Sequence, residues 1–186
     1  MLTSAELVKE ISKSIGKLKV VALGSIIKQQ QFYISDLVDI TFHSNKKVAF
    51  RAAWILENML LQKPEDYADN IEYIFSQIKN IENPGCKRHY AKIVMHLTSP
   101  KAPAIIQHKL ASVDPEPIVE KMFDWLIDPK VLIAVKVFTA QSLFNMRHRY
   151  PWIADELANQ LRFLMLNGTA AIQSRGRKLL EQLGQG

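Results

Sequence analysis

One amphipathic stretch, NKKVAFRAAWILENM from Asn45 to Met59, returns in weaker form three times, and that recurrence narrows the folds open to this chain. Val48, Ala52, Ile55, Leu56 and Met59 fall on one face at helical spacing. Small Ala52 and Ala53 let a neighbouring helix come close, while Lys46, Lys47 and Arg51 stay off the apolar stripe. The echoes are CKRHYAKIVMHL from Cys86, VKVFTAQSLFNM from Val135 and QSRGRKLLEQL from Gln173. Aligned on Ala53, Ala91, Ala140 and Gly176, they lie 38, 49 and 36 residues apart, the period of two-helix solenoid repeats.

The stretches between the echoes supply the partner helices. Thr3-Ser4-Ala5-Glu6 is a capping box opening a helix to about Ser14, and Gly16 separates it from a helix over about 17–30 with Leu18, Val21, Ala22, Ser25 and Ile26 along its stripe. Ser35 caps a short helix to Phe42. Pro64 starts the helix carrying Tyr67, Ile71, Ile74, Phe75 and Ile78. A short helix is expected over Pro103 to Ala111. Another, EPIVEKMFDWLI, turns Ile118, Met122, Trp125 and Leu126 inward. Asp128-Pro129 breaks the chain before a long helix ending near His148, and Ile153 to Leu166 forms the next. Asn167-Gly168 should end that helix in a left-handed glycine cap, with Thr169 capping the last. No segment shows strand alternation between hairpin turns. The fold class is therefore all-α: a right-handed α-α superhelix of HEAT/armadillo-like helix pairs. Its 186 residues are expected to form one repeat domain, with N-terminal helices over 1–35 and about four pairs over 36–186.

Hydrophobic residues make up 48%, enough for a packed core and too many for disorder. No apolar run reaches the about 18 residues of a membrane helix, and the N-terminus lacks a signal-peptide core, so no membrane partner and a cytoplasmic location are expected. The lone Cys86 cannot close an intramolecular disulfide and reads as a small packed hydrophobe.

The charge is informative through its placement. The second helices with their flanking turns, 45–63, 84–101, 129–149 and 168–186, hold 15 Lys/Arg and two acids, a net of +13. The first helices and linkers, 36–44, 64–83, 102–128 and 150–167, hold four Lys/Arg and 14 acids, a net of −10. Lys46, Lys47, Lys87, Arg88 and Lys130 are read as first-turn residues, where the helix dipole disfavours a cation by a few tenths to about 1 kcal/mol. Lys47, Arg51, Arg88, Lys92, Lys136 and Arg175 are the candidate residues of one positive surface for an anionic partner.

Other constellations are thinner. His43, His89, His96, His108 and His148 give no i,i+4 pair with a third ligand, so no metal and no cofactor are expected. Asp124 and Trp125 with Trp54 and Trp152 could line an aromatic, acid-bearing pocket, although tryptophans at helical core spacing are more often packing, and Trp54 is expected in the core. No Walker, G-x-G-x-x-G, G-x-S-x-G or H-E-x-x-H motif occurs, and no catalytic residue is assigned.

RAAWILE at Arg51–Glu57, FDWLID at Phe123–Asp128 and NGTAAIQSRGRKLL at Asn167–Leu180 together resemble a group of short all-helical, HEAT-like bacterial proteins, some labelled adenylosuccinate lyase. The likeness runs from about Ser35 onward. True lyases of that name carry a mobile loop resembling S-S-x-M-P-x-K, which has no counterpart here. A looser likeness is to HEAT-like DNA alkylation-repair glycosylases, whose groove is also basic. Three readings follow. The first is a non-enzymatic scaffold whose basic groove takes an acidic protein or peptide. The second is a nucleic-acid-binding relative of the glycosylases. The third, implied by the family label alone, is a lyase acting on adenylosuccinate.

Overall fold

A computed structural model of the chain describes residues 2–13 and 15–185. Helices follow one another throughout: α1 (Ser4–Ser12), α2 (Lys17–Gln29), α3 (Ile34–Ile40), α4 (Lys46–Gln62), α5 (Ile71–Gln77), α6 (Pro84–Leu97), α7 (Ala104–Ser112), α8 (Glu116–Ile127), α9 (Ile133–Met146), α10 (Trp152–Met165) and α11 (Ala170–Gln182). Tighter 3-10 turns, Pro64–Asn70 and Ile78–Asn80, flank α5. The described residues contain no strand.

Local chemistry starts these helices where the sequence says it should. Thr3 and Glu6 close the capping box on α1. The Asn45 side chain accepts from the Lys47 and Val48 amides, and Asn83 caps α6 through the Gly85 amide. Five details differ. α3 starts at Ile34 behind Tyr33, so Ser35 lies inside the helix and does not cap it, and Thr169 precedes α11 without a side-chain cap bond. α1 ends at Ser12, and Ser14 lies outside the described residues. α2 buries Val20, Leu23, Gly24 and Ile27 and leaves Leu18 89% exposed, so its inward face is rotated from the expected stripe. Packing chose the run with close-fitting Gly24, whose position faces Met59 of α4. Gly168 is not left-handed; its small size serves instead, because a Cβ there would sit 2.5 Å from the Leu164 carbonyl oxygen. The left-handed glycine is Gly184, after α11.

α2, α4, α6, α9 and α11 pack in a row, each on the next. α1, α3, α5, α8 and α10 cover that row on its other side, with α5 bracketed by its 3-10 turns. One continuous apolar core runs between the layers, from Leu7 and Ile11 to Leu179 and Leu180. This is an α-α superhelix of helix pairs, and α1 with α2 extends the same arrangement at its start. Ion pairs stitch adjacent repeats: Lys28 of α2 to Asp66, Lys109 to Asp69 at 2.7 Å and Lys121 to Glu82 at 3.5 Å. A buried polar knot joins α3 to α6, where the Thr41 and Tyr90 hydroxyls lie 2.9 Å apart.

The one uneven period, 49 residues, has a structural cause. Between the echo in α6 and the echo in α9 the chain inserts α7, which belongs to no pair. α7 buries Ile106 alone. Gln107 ties its start to the Pro100 and Ala102 carbonyls, and Arg149 holds its end by donating to Leu110 O at 3.0 Å and Val113 O at 3.1 Å.

Candidate functional site

The solvent side of α4 and α6 gathers most of the expected residues. Lys46, Lys47, Phe50, Arg51 and Trp54 line a cleft of about 410 Å³ with Ile15, Asn83 and Gly85. The Phe50 ring lies 6.2 Å from Trp54 and 4.8 Å from His89. Asn83 donates to the Lys46 carbonyl, clamping the entry of α6 to that of α4. Trp54 is therefore a half-buried wall of the cleft, not the core residue expected. The buried tryptophan is Trp125 on α8, 2% exposed.

The six candidates have different surroundings. Lys47 and Arg88 are exposed, with side chains bonded to no other described residue. Arg51 is half-buried and donates to Ile11 O at 2.7 Å and Ser12 O at 2.9 Å, closing the C-terminal end of α1 where helix carbonyls lack partners. Lys92 donates to Glu57 at 2.6 Å, while His89 Nδ1 meets the other carboxylate oxygen at 2.5 Å. Burial works against the Glu57 carboxylate, but the His89 and Lys92 bonds outweigh it and hold the carboxyl below its ordinary value. Arg175 reaches across to Gln141 of α9, and Gln141 in turn donates to Asn145 at 3.0 Å. Lys136 departs furthest from expectation. It is 5% exposed, on the side of α9 turned away from Val137 and Gln141, so it is no part of a continuous outer surface. Burial pushes its ammonium pKa down, against a smaller pull from Asp128. Lys130 also differs, lying in the turn before α9 rather than in its first turn.

The aromatic, acid-bearing pocket does not assemble. Trp54 stands over Phe50, Trp152 is 45% exposed against Phe123 and Tyr150, Trp125 is buried and Asp124 is exposed. Cys86 is buried, and burial pushes its thiol up to about 12, so it packs rather than reacts.

Charge placement is the sharper result. Among the described residues of α4, α6, α9 and α11, Lys92 is the one lysine or arginine in an ion pair, and its partner Glu57 belongs to the same layer; in α2, Lys19 and Lys28 are paired with Glu10 and Asp66. Of the outer-layer acids, Asp69 and Glu82 pair with Lys109 and Lys121, outside the second-helix row, and Asp66 pairs with Lys28 of α2. From α4 onward, no ion pair among the described residues joins the two layers. Sequence reasoning missed the Glu57–His89–Lys92 group; the signal was Glu57, a carboxylate directly beside the buried apolar stripe of α4.

The paired helices define a helical-repeat solenoid. Comparison with known families agrees with this: the HEAT repeat domain family matches residues 7–183. The chain belongs to that HEAT repeat family. No curated protein and no solved structure matches it. No described helix is long and apolar enough to cross a membrane.

Proposed function

We propose that the protein is a non-enzymatic binding scaffold whose second-helix layer forms a basic concave surface for an acidic protein or peptide segment. The observation that carries this reading is that, among the described residues, the lysines and arginines of α4, α6, α9 and α11, Lys92 apart, stand in no ion pair with an acid, beside an acid-rich outer layer. HEAT arrays offer extended concave surfaces to partners, and unspent Lys and Arg there steer an anionic partner toward contact. Lys47 and Arg88 are the strongest contributors, with Lys46 beside them. Arg51, Lys92 and Arg175 present only what their internal bonds leave free, and Lys136 drops out. Phe50 and Trp54 add an apolar wall on which a partner side chain packs.

Fluorescence anisotropy with a labelled glutamate-rich peptide tests the reading. Wild type binds, and Lys47→Glu with Arg88→Glu abolishes binding at an unchanged melting temperature, since both side chains are exposed. Tighter binding of random duplex DNA, with a steep fall in log K against log salt, transfers the surface to nucleic acid. No binding of either probe overturns it.

A further inference from the structure

The insertion that breaks the repeat period also builds a cavity. α7 packs on α5 and the 3-10 turn before it, and with the C-terminal ends of α6 and α9 and the start of α8 it lines a half-open cavity of about 390 Å³. Such a volume lies at the lower end of small-ligand sites, about 300–1,000 Å³. The floor is apolar, with Phe75, Leu97 and Ile118 from the core and Leu110 and Val113 from α7 and its exit. The rim carries two cations, Arg147 and Arg149, with His148 between them at the end of α9, and none of the lining residues is an acid. Asp114 and Glu116 stand nearby, where they add to the effect of burial in raising the pKa of the Tyr150 hydroxyl, and neither lines the cavity.

The two arginines are held in place. The Arg147 guanidinium lies 4.0 Å from the Phe144 ring centre and donates to Phe144 O at 2.8 Å. Arg149 spends one N–H on Leu110 O and another on Val113 O. A guanidinium has five N–H groups, so both keep donors unspent. An apolar floor beneath anchored guanidinium forks matches one ligand shape, a small molecule with a hydrocarbon body and a carboxylate head.

We propose that this cavity is a binding site for a small amphipathic carboxylate, walled on one side by α7 and read by Arg147 and Arg149. It is separate from the α4–α6 cleft and does not depend on the scaffold reading. Octanoate is the probe, with 1-octanol and octylamine as neutral and cationic controls, titrated into isotope-labelled full-length protein. Amide shifts at Leu110, Ile118 and Asn145 should report octanoate about tenfold tighter than either control. Arg147→Gln should bring octanoate down to the affinity of octanol while the melting temperature holds. Leu110→Trp, or Val113→Phe if the first destabilises α7, fills the floor and should remove binding of both. Equal affinity for octanoate and octanol in wild type overturns the carboxylate assignment. Shifts scattered away from these three amides, or binding retained in both filled variants, overturn the site.

Discussion

The seam between α4 and α6 and the seam between α9 and α11 solve one packing problem with different chemistry. In the first, a nearly buried carboxylate, Glu57, is answered by His89 and Lys92 of the facing helix. In the second, Arg175 meets a neutral amide, Gln141, and no described acid takes part. The helix starts differ in the same sense. Asn45 and Asn83 cap α4 and α6, while the positions before α9 and α11, Leu132 and Thr169, make no side-chain cap. Below the caps of the first seam sit unpaired cations; beside the uncapped starts of the second sit Leu132, 57% exposed, and Leu166, 74% exposed. A repeat fold thus fixes helix spacing but leaves each seam its own electrostatics, and the ionic seam is the one that can respond to pH.

The largest expected effect comes from Glu57→Ala, which strands a buried imidazole and frees Lys92. Chemical denaturation should show a loss of about 2–4 kcal/mol. Asn145→Ala, which removes donations to Met95 O and Thr98 in the neutral α6/α9 contact, should cost only about 1 kcal/mol. Equal losses would erase the distinction between ionic and neutral seams.

Acid sharpens the same contrast. Because the folded protein holds Glu57 below its ordinary value of 4.5, its contribution is present above that pH and is lost as pH falls through the lowered value. Wild type should therefore lose more stability than Glu57→Ala between pH 5 and the acid limb, measured by denaturant midpoints. The Arg175–Gln141 contact adds nothing in that window.

Two glycines test closeness of packing in each half. A Cβ on Gly176 would collide with the Met165 sulfur, so Gly176→Ala should cost about 1–3 kcal/mol. On Gly24 it would stand 3.1 Å from Met59 Cγ, and the helix-propensity gain of up to about 1 kcal/mol should leave Gly24→Ala near neutral. Thermal melts of the two variants decide it. The smallest effect is a gain. Lys136→Met removes a desolvated ammonium and should stabilise by roughly 1 kcal/mol at neutral pH. That gain should shrink as pH rises through the lowered lysine value, since the wild-type side chain then buries no charge.

The fold was legible because it is written in period and patterning. Ala53, Ala91, Ala140 and Gly176 all proved buried at helix contacts. The uneven spacing was visible too, yet only the structure shows what the extra residues make. Side-chain partners were not legible, since they depend on which helices become neighbours. Arg51 could not be known to reach Ile11 and Ser12, some 40 positions earlier. Nor could Lys136 be told from Lys47: both are lysines on second helices, and only the roll of α9 about its axis buries one.

α7 has a kinetic consequence. A helix that fully buries only Ile106, with Leu110 half-buried beside the core, has little to lose by opening, and stability within a protein varies from segment to segment for this reason. Its amides should exchange with solvent orders of magnitude faster than those of α6 and α9. The α7 wall of the half-open cavity would then loosen and re-form many times in each lifetime of the folded array, without unfolding of the repeats.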